Sequence, residues 1–187
     1  MTKSEVRKQI KTLIPAKDIR KAESQRICRL IMQSPEYQNA PLLLSYMAME
    51  DEVDLKILND DALNRKKFVG LPRIMAQSGL MDFYCVTDKT RLLAESIYGI
   101  KEPEVLPENL IKPENLPDST LIIVPGRAFT KEGCRLGRGK GFYDRWLSKI
   151  PQDKKNRVHL AGVCFSQQIV ESIPCDEHDI KMNKVFY

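Results

Sequence analysis

The chain predicts an α/β three-layer sandwich with a largely parallel central sheet. Short apolar runs that read as buried strands alternate with amphipathic helical stretches. The strand-like runs end in polar or glycine-rich turns: Met49-Glu-Asp-Glu52, Pro72-Arg73, and the loop that follows Thr120-Leu-Ile-Ile-Val124. With 187 residues there is chain enough for one core, so residues 1–187 are read as a single domain. Such a sheet is Rossmann-like, and its ligands sit beyond the carboxyl ends of the strands.

The elements follow in order. Lys3 to Ile14 predicts a helix, with Thr2 and Glu5 as a capping box and Val6, Ile10 and Leu13 as its apolar stripe. Lys3, Arg7 and Lys11 form a second line at four-residue spacing, which by pattern alone is a solvated face. Pro15 breaks this helix. A second runs to about Met32 with Ile19, Ala22, Ile27, Leu30 and Ile31 inward, and Ser34-Pro35 ends it. Pro41–Ala48 is the first buried strand, followed by a helix over Val53–Asn64 with Leu55, Leu58 and Ala62 inward. Strands are expected at Lys67–Leu71 and Leu80–Val86. A segment dotted with Pro103, Pro107, Pro113 and Pro117 reads as an excursion over the surface. The central strand at 120–124 comes next, then its glycine loop and a helix over Phe142–Lys149. Val158–Cys164 is another buried strand, Gln167–Ile173 a short helix, and Lys184–Phe186 a final short strand.

Composition excludes several classes. No apolar run approaches the ~20 residues a membrane helix needs. The charged N-terminus, Met1-Thr-Lys-Ser-Glu-Val-Arg, lacks a signal-peptide core, so the cytoplasm is the expected location and no membrane is involved. The five cysteines are scattered, which argues against a disulfide framework or a zinc site. The formal charge of +5 is modest and aromatics are few, a poor match to a nucleic-acid binder. It suits a protein that takes an anionic small molecule, and a monomer is the expected state.

The stretch Gly133-Cys-Arg-Leu-Gly-Arg-Gly-Lys-Gly-Phe-Tyr-Asp144 carries the chemistry. Gly137, Gly139 and Gly141 alternate with Arg138 and Lys140. Glycines permit positive φ and close approach of a ligand, and successive backbone N–H groups can form an anion nest. Arg135, Arg138 and Lys140 add full charges, and Asp144 offers one carboxylate able to hold magnesium against phosphate oxygens. The helix from Phe142, with Trp146, Leu147 and Ile150 at helical spacing, would turn its free N–H groups toward the loop. The run is neither a Walker A loop nor a dinucleotide fingerprint, since Arg138 and Phe142 stand where those motifs need glycine. Spacing alone therefore specifies an anion or polyphosphate loop, or a basic surface turn.

Pro125-Gly-Arg-Ala-Phe129, Gly133, and Arg135-Leu-Gly-Arg-Gly-Lys-Gly-Phe-Tyr-Asp-Arg145 together resemble the signature of the 5-formyltetrahydrofolate cyclo-ligase family, also called methenyltetrahydrofolate synthetases. The Lys3-x-x-x-Arg7 pattern, Met49-Glu-Asp-Glu52, Leu71-Pro-Arg73 and Asp179-Ile-Lys-Met-x-x-Val185 extend the resemblance over nearly the whole chain. Arg127, Thr130 and Phe142 depart from the family pattern. The resemblance implies conversion of 5-formyltetrahydrofolate to 5,10-methenyltetrahydrofolate, with ATP cleaved to ADP and phosphate and with magnesium required. By the same resemblance Lys3, Arg7, Arg135, Leu136, Gly137, Arg138, Gly139, Lys140, Gly141, Phe142 and Tyr143 would contact ATP. Arg135, Arg138 and Lys140 would be catalytic, and Arg138 to Phe142 would also face the formyl group. Met47 and Glu52 would line the folate site, Glu52 accepting from pterin nitrogens, and Asp144 and Asp179 would hold magnesium.

Overall fold

The structure, a computed structural model, describes residues 2–75, 79–87, 92–95, 101–174, 176 and 179–187. Cys175 lies outside them, as do residues 99–100 of the proline-dotted excursion expected over 99–119. Helix α1 (Lys3–Leu13) starts at the expected capping box: the Thr2 hydroxyl accepts from the Glu5 N–H at 3.3 Å, and the Thr2 N–H donates to the Glu5 carboxylate at 2.7 Å. Val6 and Ile10 are buried, while Leu13 turns outward at 45% exposure.

Helix α2 (Lys17–Gln33) buries Ser24, Ile27, Cys28 and Ile31. Ile19, Ala22 and Leu30, expected inward, are exposed. At roughly 100° per residue they fall on the side opposite Ser24–Ile31, and a helix lying on one sheet buries only one stripe. The Ser24 hydroxyl fixes that choice by accepting from the Asp54 N–H at 3.0 Å. Ser34 ends α2 and also starts a short α3 (Pro35–Asn39), capping it through the Tyr37 N–H at 3.3 Å. That helix was not expected.

Strand β1 (Leu42–Leu44) is shorter than Pro41–Ala48, and residues beyond Ser45 form a loop across the sheet's end. Helix α4 (Lys56–Asn64) begins three residues later than expected, and Leu55, Leu58 and Ala62 are buried as expected. Strand β2 (Phe68–Met75) runs past Pro72, where it was expected to stop, and pairs antiparallel with β3 (Leu80–Val86). Its pairing with β1 ends at Gly70. Beyond that point β2 has a neighbour on one side only, the position in which a proline's missing N–H is tolerated.

The proline-dotted segment is more structured than a surface excursion. It holds β5 (Lys101–Pro103), which pairs with β4 (Leu92–Glu95), and β6 (Leu110–Ile111), which adds an edge strand to β3. Strand β7 (Leu121–Pro125) follows, then a small hairpin of β8 (Ala128–Phe129) and β9 (Arg135–Leu136). Next come α5 (Phe142–Leu147), α6 (Gln152–Lys155), β10 (His159–Val163) and β11 (Lys184–Phe186). Where Gln167–Ile173 predicts a helix, the described residues form only a 3-10 turn over Ser166–Gln168.

The main sheet has the order β11-β10-β7-β1-β2-β3-β6, parallel through β2 and antiparallel at β3 and β6. Period-2 alternation divides the core between its faces. Leu43, Leu121 and Ile123 join the cluster with Ile27, Ile31, Leu55 and Leu58 from α2 and α4. Leu42, Leu44, Ile122 and Val124 join the cluster with Phe129, Trp146 and Leu147 on the α5 side. Helix α1 packs apart from both, on the β8–β9 hairpin, through Val6, Ile10, Ala128 and Leu136. Among the described residues no helix is long and apolar enough to cross a membrane.

Candidate functional site

The carboxyl ends of β1 and β7 open into a cavity of about 400 Å³. Helix α1 contributes Lys3 and Arg7. The loop after β1 contributes Tyr46, Met47, Met49 and Glu52. The β2–β3 hairpin and β5 supply Pro72, Ile74, Met81 and Glu102. Pro125 and Gly126 at the end of β7 meet the run from Arg135 to Asp144, and Asp179 closes the remaining side. Every residue singled out in the sequence as a nucleotide, folate or metal contact thus lines this one cavity. The line of Lys3 and Arg7, a solvated face by pattern alone, points into it.

The glycine loop has the backbone the sequence requires. Gly139 has φ of 96° and Gly141 has φ of 64°, conformations costly for any side-chain-bearing residue. Two arginines hold the loop from outside: Arg7 Nε donates to the Gly137 carbonyl at 2.9 Å, and Arg145 donates to the Lys140 carbonyl at 2.8 Å and the Gly79 carbonyl at 3.0 Å. Helix α5 is only six residues long, shorter than the expected Phe142–Lys149. Its dipole is correspondingly a minor attraction for an anion, and the loop's N–H groups and the cations around it are the main one. The Lys140 side chain makes no hydrogen bond or ion pair among the described residues, so its charge is available to a ligand.

The other charges are paired. Arg135 is buried and donates to Asp144 at 2.6 Å and to the Pro125 carbonyl at 3.3 Å, with its guanidinium 5.9 Å from the centre of the Tyr143 ring. Arg135 Nε is buried and has no partner among the described residues. Burial and the nearby Glu52 charge push the Tyr143 phenol well up, so it stays protonated. Arg138 donates to Glu52 at 3.0 and 3.1 Å and also reaches Asp51, which Arg127 holds from its other side. Burial opposes the charge on Asp51, but the two arginines outweigh it and hold its carboxyl below the usual range. Lys3 bridges Asp176 at 2.6 Å and Asp179 at 2.7 Å. Asp179 also accepts from the Asp176 N–H at 2.8 Å, and despite partial burial its carboxyl is held low by that bond and by Lys3.

Two of the expected contacts gain detail. Both Glu52 oxygens are engaged, one by Arg138 and the other by the Met49 N–H at 3.0 Å, which fixes the carboxylate's orientation and leaves each oxygen a second lone pair for a ring donor. Asp144 and Asp179 each sit in an ion pair, and among the described residues no group of three or more His, Cys, Asp or Glu side chains could hold a metal. Single carboxylates in a cationic cavity suit a magnesium ion that brings phosphate and water oxygens with it, and fit a resident cage poorly.

Sequence reasoning missed Asp51, Arg127, Arg145 and Glu102. Asp51 lay in an acidic loop already singled out. Glu102 carried no local signal, because its place in the wall depends on β5 crossing toward β2.

The geometry agrees with the comparisons. The model of the 5-formyltetrahydrofolate cyclo-ligase family matches residues 1–187. The mouse 5-formyltetrahydrofolate cyclo-ligase is 30% identical over 99% of this chain and 91% of its own length. The Saccharomyces cerevisiae protein of the same name is 30% identical over 97% and 93%. The solved structure of Aquifex aeolicus 5,10-methenyltetrahydrofolate synthetase superposes with a TM-score of 0.78 at 31% identity, covering 100% of this chain and 89% of that one. That of the Mycoplasma pneumoniae synthetase gives 0.74 at 18% identity over 100% and 98%, a likeness of fold. With a match over its full length and relatives this similar over nearly all of it, the chain belongs to the 5-formyltetrahydrofolate cyclo-ligase family.

Proposed function

We propose that this cavity converts 5-formyltetrahydrofolate to 5,10-methenyltetrahydrofolate while ATP becomes ADP and phosphate. A formamide carbonyl is a poor electrophile. Its oxygen attacks the γ-phosphorus, ADP leaves, and the formyl carbon becomes an iminium-like phosphate ester. The folate's N10 attacks that carbon and loses its proton, and the former formyl oxygen departs in the phosphate. Such chemistry needs in-line positioning and charge neutralisation more than a protein nucleophile.

Lys3, Arg7 and the run from Arg135 to Tyr143 receive the nucleotide. Arg138, Gly139, Lys140, Gly141 and Phe142 also face the formyl group, where the γ-phosphoryl must meet it. Met47 and Glu52 line the folate site, and Glu52 also holds Arg138 in place. Asp144, with Asp179, would hold magnesium, which when bound neutralises charge on the phosphate oxygens. The observation that carries the reading is Lys140: a cation with no protein partner among the described residues, on a positive-φ glycine loop, over a cavity rich in apolar wall. One chain supplies the whole site, so a monomer suffices, without nucleic acid or membrane. The free cysteines Cys28, Cys85, Cys134 and Cys164 suit a reducing cytoplasm.

The direct experiment mixes protein, 5-formyltetrahydrofolate and magnesium with and without ATP and follows the methenyl-folate absorption band. An ATP-dependent rise is expected. A flat trace from folded protein overturns the reading.

A further inference from the structure

Arg127 has no part in the reaction as described so far. It sits in the turn between β7 and β8, and its backbone is fixed there. Its N–H donates to the Leu136 carbonyl at 2.6 Å, and its carbonyl accepts from the buried Gln168 side chain at 3.0 Å. From this root the side chain reaches Asp51, 76 positions earlier in the sequence. Arg127 Nη1 donates to one Asp51 oxygen, and Arg138 Nη2 donates to the other. Arg138 and Glu52 line the cavity, whereas Arg127 and Asp51 do not. The charges therefore run inward, from the turn after β7 to the cavity wall.

This chain decides which edge of Arg138 the cavity meets. Arg138 Nε and Nη2 donate to Glu52 at 3.1 and 3.0 Å, and Nη2 also donates to Asp51. A guanidinium is planar and rigid, so fixing these two nitrogens aims the third, Nη1. Charge balance matters as well as aim. Asp51 and Glu52 set two negative charges against one arginine, an excess that would repel a phosphate brought to the same group. Arg127 makes the foursome neutral.

We infer that Arg127 is a positioning residue: through Asp51 it sets the orientation of Arg138 and balances the charge around it. Arg138's place beside the transferring phosphoryl group is the functional reading above, on which this rests. Without Arg127, Asp51 is free to turn and stands uncompensated next to the phosphate. The loss then falls on the transition state, because Lys3, Arg7 and the glycine loop still hold the nucleotide. The Arg127 bond to Asp51 runs through Nη1, so one ammonium group can replace it.

The test compares Arg127→Gln, Arg127→Lys, Arg138→Gln and the double variant Arg127→Gln/Arg138→Gln. Single-turnover formation of the methenyl product is followed at saturating ATP, magnesium and 5-formyltetrahydrofolate, and thermal melting shows that each protein is folded. Should Arg127→Gln fail to fold, Arg127→Met keeps the aliphatic stem and serves the same comparison. Arg127→Gln should lower the rate ~10–100-fold. The dissociation constants of ATP and 5-formyltetrahydrofolate should move by less than about threefold. Arg127→Lys should stay within about threefold of the parent rate. The double variant should be no slower than Arg138→Gln alone, since Arg127 acts through Arg138. A pair that merely ties two loops together would lower the melting temperature and leave the rate of the folded protein unchanged, and that result overturns the inference. So does a double variant slower than Arg138→Gln by the full Arg127→Gln factor, or a lysine variant as slow as the glutamine one. A parent that forms no product with ATP overturns the functional reading itself, a result distinct from an active parent matched in rate by Arg127→Gln.

Discussion

The Asp144 carboxylate accepts a 2.6 Å hydrogen bond from the buried guanidinium of Arg135. One partner is a candidate for holding magnesium and the other for holding phosphate, and each neutralises the other. Phosphate competes for Arg135 and a divalent cation competes for Asp144, so binding of either frees the group the other needs. Nucleotide and cation affinities should therefore rise together.

Asp144→Asn removes one side of this exchange. The magnesium half-saturation point of the reaction should move up about tenfold or more, the value of one charge-assisted contact. A magnesium titration on parent and variant checks it, and superimposable curves would remove Asp144 from the metal's surroundings.

Lys140→Ala should lower kcat roughly 10²–10³-fold while folate and ATP dissociation constants change little. The side chain is exposed and makes no hydrogen bond or ion pair among the described residues, so no such contact is lost with it. Single-turnover kinetics separates the step from binding, and near-parental turnover in the folded variant contradicts the role.

Gly139→Ala tests the loop's backbone. A Cβ there would meet nothing closer than Arg7 at 3.6 Å, so space is not the constraint. The φ of 96° is, at about 1–3 kcal/mol for a residue with a side chain. Thermal melting should fall by ~2–4 °C per kcal/mol for a chain of this size, and ATP binding should weaken with it. An unchanged melting temperature and ATP affinity would mean that the loop adapts freely.

Glu102→Gln should raise stability at neutral pH. Burial pushes the Glu102 carboxyl above its ordinary value, with the Ile74 N–H and Arg73 offsetting this only in part. A group raised in the folded state contributes stability that is full below its unfolded pKa and lost as pH rises through the folded one. The variant's advantage in melting temperature should therefore be present at pH 7 and vanish as pH falls toward the ordinary glutamate range. A constant difference across pH would place the effect in packing instead.

The glycine loop, the α1 capping box and the strands at Leu80–Val86 and Lys184–Phe186 were legible because each is a local pattern: alternating glycines, Thr2 with Glu5, a short apolar run. The outward turn of Ile19, Ala22 and Leu30 was not, since periodicity shows that a stripe exists without saying which stripe meets the sheet. Spacing alone brought the glycine loop only as far as an anion cradle, and the resemblance added Lys3, Arg7, Met47, Glu52 and Asp179. The Arg127–Asp51–Arg138–Glu52 chain of charges was illegible, because it joins the loop after β1 to residues some 76 to 87 positions away. Glu102 was hidden by its proline-rich surroundings, whose composition suggested solvent.

Lys3 meets Asp176 and Asp179, 173 and 176 positions away. A chain emerging from the ribosome can form α1 early and the β1–β2–β7 core well before those carboxylates exist. Lys3 at the cavity's cationic side, however, cannot be tied down until Asp176 and Asp179 have been made. A nascent chain that lacks them would hold no finished nucleotide cradle.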